Sequence, residues 1–147
     1  MSPSCAKGSL RCFTSFWRAG WNVARRGNPE ADIQRAIVRD LRALVPGAII
    51  HHSANEVRGG GAKARNQQAI LVGMGVHRGF ADLVVLSGGR VLFIEVKSAT
   101  GRLTEAQEAF RDAVQAEGHA WALCRSSDDA INAARAAGMN VLREVRA

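Results

Sequence analysis

An α/β sandwich with a mixed central β-sheet flanked by helices is the architecture this sequence predicts, and three observations predict it. Segments with helical periodicity alternate with short β-rich runs in the order α-β-α-β-β-α-β-α, with a further short strand expected at the end. Two neighbouring β-rich runs, Phe80 to Leu86 and Val91 to Val96, are separated only by the turn residues "SGG". Hydrophobic residues make up 47% of the 147 residues, which supplies one real core and leaves little room for a second. No internal repeat or long linker interrupts the pattern.

The elements follow in order. Residues 1–28 stand apart as a basic, aromatic N-terminal extension: five Lys and Arg, no acid, and Phe13, Phe16, Trp17 and Trp21 interleaved. Such a segment can form a short amphipathic helix against the body, serve as an arm whose arginines touch phosphates, or remain a plain extension. The domain proper is expected over residues 29–147. Its first helix begins at Asn28, a capping residue, with Pro29 in the first turn where a missing N–H costs nothing. Ile33, Ile37, Leu41 and Leu44 form its apolar stripe, Glu30 and Gln34 are neighbours one turn apart, and Pro46-Gly47 ends it. "AIIHHSANE" reads as a strand through Ile50 that ends near Asn55 and Glu56.

"VRGGGAKARN" is expected to be a flexible basic loop carrying Arg58, Lys63 and Arg65, either contacting phosphate or simply solvated. It lacks the spacing of a Walker phosphate loop. A short helix over 66–74 follows, bearing Ala69 and Ile70. After the two strands, Thr104 and Gln107 have the spacing of a capping box, and Ala106, Phe110 and Val114 make a stripe that Gly118 stops. "HAWALC" is a buried strand, Ser127 is expected to cap an alanine-rich helix to Ala137, and "NVLREVRA" is the expected final strand.

Charge and cysteine narrow the class. The chain carries 20 Lys and Arg against 13 Asp and Glu, a formal charge of +7, and nucleic acid is the commonest polyanionic partner of such a balance. Three cysteines with no CxxC spacing point to a reducing compartment, with Cys124 a buried thiol. There is no apolar run long enough to span a bilayer and no apolar core of a signal peptide, so a cytoplasmic, non-secreted protein is expected.

The chemistry is expected where charges enter a buried strand. With a strand period of two, Phe93, Glu95 and Lys97 share one face, and Leu92, Ile94 and Val96 the other. If the "SGG" turn pairs the two strands, Asp82 approaches Glu95. Carboxylates held together repel, and a hard divalent cation is the usual compensation. Lys97 beside them offers a positive charge for a phosphate or a way to position water. A structural Asp–Lys–Glu network at a strand end is the alternative that spacing alone leaves open.

"FADLVV" followed by "FIEVKS" resembles the core motif of the PD-(D/E)xK nucleases, with Ala81 in place of the proline that often precedes the aspartate. The fuller resemblance is to the VRR-NUC branch of these restriction-endonuclease-like enzymes, which includes standalone viral and bacterial domains. It rests on Glu30 with Gln34, Gly79 with Asp82, Glu95-Val96-Lys97, and Gly101-Arg102-Leu103-Thr104 with Gln107. It spans residues 29 to about 125, and the four elements in order are far more specific than E-x-K alone.

The resemblance implies a restriction-endonuclease-like core and an endodeoxyribonuclease that uses Mg²⁺ or Mn²⁺. Asp82, Glu95 and the Val96 carbonyl would hold the ion, with Glu30 completing the shell or binding a second one. Lys97 would orient the attacking water. Gln107 would contact the nucleophile, Lys97 or the scissile phosphate, a duty that competes with capping, and Gln34 is a weaker supporting candidate. His51, His52 and His77 are read as packing or surface residues, because the carboxylates already specify a hard-ion site. Arg58, Lys63, Arg65 and Arg102 are the DNA-contacting candidates. No helix-turn-helix or zinc-finger spacing is present, so DNA is expected to be read by backbone and shape, with a homodimer placing two sites on two strands. Branched DNA such as a Holliday junction is the expected substrate. A less selective phage or restriction-like nuclease is the near alternative, and a catalytically silent DNA-binding relative the distant one.

Overall fold

A computed structural model describes residues 28–53 and 61–143. Its elements come in the expected order: α1 (Pro29–Leu44), β1 (Ile49–His52), α2 (Ala62–Gly73), β2 (Leu83–Ser87), β3 (Arg90–Val96), α3 (Glu105–Ala116), β4 (Ala120–Cys124) and α4 (Ser127–Ala136). The sheet order is β1-β2-β3-β4. β1, β2 and β3 pair antiparallel, and β4 joins β3 in parallel, so the sheet is mixed.

Alternation along the strands divides the core in two. Leu83 and Val85 of β2, Leu92, Ile94 and Val96 of β3 and Cys124 of β4 pack with Ile37 and Leu41 of α1 and Ala130, Ile131 and Ala134 of α4. On the other face Phe93 and Trp121 meet Phe110 and Val114 of α3, together with Phe80 and Ala81. The rings of Phe80 and Phe93 lie 4.7 and 5.6 Å from that of Phe110, aromatic contacts that seat α3 on the sheet. The layers are thus α1 and α4, the sheet, and α3.

The local signals for α1 hold in detail. The Asn28 side chain accepts from the Ala31 N–H, and Glu30 and Asp32 occupy the first turn, where the helix dipole favours acids. α3 carries a complete capping box: Thr104 Oγ1 accepts from the Gln107 N–H, and Gln107 Oε1 accepts from the Thr104 N–H at 2.9 Å.

Four expectations need correction. β2 begins at Leu83 rather than Phe80, because Gly79 at φ 72° and a turn from His77 to Phe80 fold the preceding residues under α3. α2 starts at Ala62, so Lys63 and Arg65 ride on a helix and not on a loop. None of its residues is buried, and Ile70 is 63% exposed, because its apolar residues do not recur at helical spacing. Ser126, not Ser127, caps α4, accepting from the Asp129 N–H at 3.2 Å. Residues 140–143 of the expected last strand form no strand: the Leu142 N–H donates to the Leu44 carbonyl at 2.7 Å, which ties this segment to the end of α1 instead of a sheet edge. Residues 144–147, Arg58 with the rest of 54–60, and residues 1–27 lie outside the described part. Among the described residues, no helix is long and apolar enough to cross a membrane.

Candidate active site

The register carries the site. Leu83 pairs with Ile94, which sets Asp82, one step before β2, opposite Glu95 near the end of β3. The Asp82 carboxylate accepts from the Val96 N–H at 2.8 Å, and its backbone carbonyl accepts from the Ser53 N–H at 2.9 Å. The aspartate is therefore held from both neighbouring strands.

Glu95 is only 1% exposed. One of its carboxylate oxygens, Oε1, accepts from Lys97 Nζ at 2.7 Å and from Gln107 Nε2 at 2.5 Å. The Gln107 amide thus serves two ends at once, its oxygen closing the capping box and its nitrogen reaching Glu95. Capping and site duty do not compete; the cap fixes the rotamer that points the amide at the carboxylate. Burial pushes the Glu95 carboxyl up to about 7, and Asp82 and Glu30 nearby add to this while Lys97 opposes it. For Lys97, burial works against the ammonium, yet its bond to Glu95 and the field of Asp82 and Glu30 prevail and its pKa is raised. Lys97 stays charged.

Glu30 enters from the first turn of α1, and its Oε1 accepts from the Ser98 N–H at 3.0 Å. Two glycines make these approaches possible. A Cβ on Gly79 would lie 2.2 Å from the Ala106 carbonyl oxygen and 2.6 Å from the Gln107 nitrogen, so only glycine lets this turn press against the first turn of α3. A Cβ on Gly101 would meet Glu30 Oε1 at 3.0 Å and Lys97 Cβ at 3.2 Å.

Glu30, Gln34, Asp82, Val96, Lys97 and Gln107 line one cleft of about 390 Å³, with Glu95 beneath it. His52 and Ser53 complete a wall, and the Ser53 hydroxyl is buried with no partner among the described residues. His51 and His52 are exposed, and the His77 ring packs 5.2 Å from Phe110. Lys63, Arg65 and Arg102 are exposed and line no part of the cleft.

One contributor was not anticipated. Arg125, just beyond β4, donates from its guanidinium to the carbonyls of Ser98 and Gly101, the second at 2.8 Å. It grips both ends of the turn that follows Lys97 and presents the Ser98 N–H to Glu30. Sequence offered only an arginine at a strand end as a signal, since the partners are backbone carbonyls that carry no residue-type signature.

The donors suit a hard cation by chemistry: the carboxylates of Asp82 and Glu95 at the strand ends, and carbonyl oxygen from Val96, which lines the same cleft. Three carboxylates and one ammonium leave an excess of negative charge for a cation to balance. Among the described residues, however, no three His, Cys, Asp or Glu side chains converge into a finished cage.

Strand order, the antiparallel β1–β2–β3 meander with a parallel β4, and acidic residues at the ends of β2 and β3 define a restriction-endonuclease-like domain. The chain belongs to the VRR-NUC family, whose domain model matches residues 24–128. A solved structure described as a "VRR_NUC domain protein" shares the fold at a TM-score of 0.54 and 23% identity, over 74% of this chain and 86% of that one. A search of curated proteins found no match. The family is of the nuclease type and implies DNA as the partner.

Proposed function

We propose that this domain is a divalent-metal-dependent endodeoxyribonuclease that hydrolyses phosphodiester bonds in branched DNA. The observation that carries the reading is the Lys97–Glu95–Gln107 arrangement beside Asp82 within one cleft of a VRR-NUC domain. Clustered carboxylates repel phosphate unless a cation stands between, so a module that merely bound DNA would gain nothing from them. Asp82, Glu95 and the Val96 carbonyl would hold Mg²⁺ or Mn²⁺, with Glu30 at the margin. Such an ion, when bound, would supply an activated water and charge to offset that of the phosphate. Lys97, held charged by Glu95, orients that water and faces developing negative charge. Gln107 fixes the rotation of Glu95, which would hold the carboxylate ready as a ligand to the ion.

Selectivity for branched DNA is what the resemblance to standalone VRR-NUC domains implies; it would rest on backbone and shape rather than base edges, and two incisions on opposite strands would call for a homodimer. A second reading has its own observation: with Glu95 Oε1 already taken by Lys97 and Gln107, the Lys97–Glu95 pair can serve as a structural link in a silent DNA-binding relative.

The test is cleavage of matched single-stranded, duplex, flap and four-way-junction DNA with Mg²⁺, Mn²⁺ or EDTA, using wild type and Lys97→Ala. Symmetric junction incision, abolished by EDTA and in the variant, is the expected result. Equal cutting of every duplex removes the branch selectivity. Tight binding with no metal-dependent cutting removes the enzyme and leaves the silent relative. Sedimentation of the free protein checks the dimer.

A further inference from the structure

Beside the catalytic cleft lies a second, wider groove of about 920 Å³. One wall is a single stripe of α1 in which residues recur at helical spacing: Gln34, Arg35, Val38, Arg39 and Arg42, beginning next to Ala31. His52, at the end of β1, stands opposite. Ala31, Gln34 and His52 line both hollows, so groove and cleft form one continuous surface.

We infer that this groove is a track for the phosphodiester backbone of a nucleic-acid strand entering or leaving the cleft, with Arg35, Arg39 and Arg42 as its phosphate contacts. The inference rests on the nuclease reading only for what the cleft does; the groove's own ligand follows from charge and shape. The stripe from Ala31 to Arg42 rises about 16 Å along the helix, which matches roughly five nucleotides of one strand at 3.4 Å each. Arginine is suited to the task because its planar fork grips phosphate oxygens in pairs.

Two of the three arginines have partners at the surface. Arg35 is 2.5 Å from Asp32 and Arg39 is 2.7 Å from Asp40, and neither aspartate lines the groove. Exposed pairs of this kind are weak and screened by salt, so a phosphate can draw the guanidinium away. Val38 between the arginines and Ala31 at the head of the stripe give the sugar face of a strand an apolar floor. This run escaped the sequence reading because the arginines are spaced three or four residues apart, with Asp32 before them and Asp40 among them, so no basic cluster appears in the linear order. The helix sorts them onto one side.

The test reads binding, not cleavage. Fluorescence anisotropy of a labelled duplex is measured in EDTA across a KCl series, for wild type, for R35A/R39A/R42A, for the same three residues changed to lysine, and for R90A/R111A as a control away from the groove. Each lost phosphate contact lowers the slope of log K against log salt by about 0.9, so the alanine triple is expected to flatten it by about 3. The lysine triple is expected to keep most of the slope, and the control to stay near wild type. An unchanged slope in the alanine triple, or an equal loss per charge in the control, overturns the inference, as does absence of DNA binding by the wild type. If the slope changes as expected but the wild type never cuts DNA with Mg²⁺ or Mn²⁺, the track stands and the nuclease reading falls.

Discussion

Gly79→Ala isolates what holds the site together. Gly79 and Gly89 share the same backbone angle, φ 72°, but a Cβ at Gly89 meets nothing within 4 Å, whereas one at Gly79 falls 2.2 Å from the Ala106 carbonyl. Left-handed backbone costs a non-glycine residue about 1–2 kcal/mol, and both variants bear that cost. Only Gly79→Ala must also push back the first turn of α3, by about 1 Å to restore ordinary contact, which adds about 1–3 kcal/mol of overpacking. The same retreat stretches the 2.5 Å bond between Gln107 and Glu95 to the limit of hydrogen bonding. Urea unfolding of the two variants should therefore separate them by about 2 kcal/mol, with Gly89→Ala the milder. Junction cleavage at saturating DNA should fall at least tenfold in Gly79→Ala and hold in Gly89→Ala. Equal unfolding midpoints would refute the close approach as the reason for this glycine.

Other consequences are equally checkable. The Glu95 carboxyl stands at about 7 against an ordinary 4.5, so its contribution to stability is fully present below pH 4.5 and is lost as pH rises through 7. Cation-free wild type should lose up to about 3 kcal/mol across that window, and Glu95→Gln should flatten the curve; a wild-type curve already flat in EDTA contradicts the burial argument. Arg125→Ala should lower kcat with little change in KM, since it frees the turn that seats Glu30, and Arg125→Lys should recover only part because an ammonium cannot bridge two carbonyls as a fork does. A matching rise in KM would point to DNA contact instead. In a Cys5→Ser, Cys12→Ser background, Cys124, fully buried with its thiol pushed up to about 12, should react with a thiol reagent at pH 8 only as fast as the protein unfolds. Rapid labelling in native buffer would show the core to be open.

Local chemistry was legible wherever a signal sits within a few residues. Asn28-Pro29 at the head of α1, Thr104 with Gln107 at α3, the period of two in β3 and the "SGG" turn are all short-range, and each predicted its element to within a few residues. The order of elements and the family motif followed from them. Where periodicity was absent, prediction slipped: α2 has no apolar face to mark its start, and residues 140–143, the described part of the expected last strand, are tied by a backbone bond to Leu44 that no side chain announces.

The sequence by itself marked Asp82, Glu95 and Lys97 as the residues to watch, because charges in β-rich segments are costly unless used, and its resemblance to the VRR-NUC motif added Glu30 and Gln107. Only the tertiary structure decided how they are joined. Glu95 is reached by Lys97 just past the end of its own strand and by Gln107 from a helix, twelve residues away, while Glu30 meets Ser98 across sixty-eight. Those distances close through the register of β2 on β3, the missing Cβ of Gly79 and the grip of Arg125 on two carbonyls. Each depends on packing between segments far apart in the chain, which spacing along the chain does not encode.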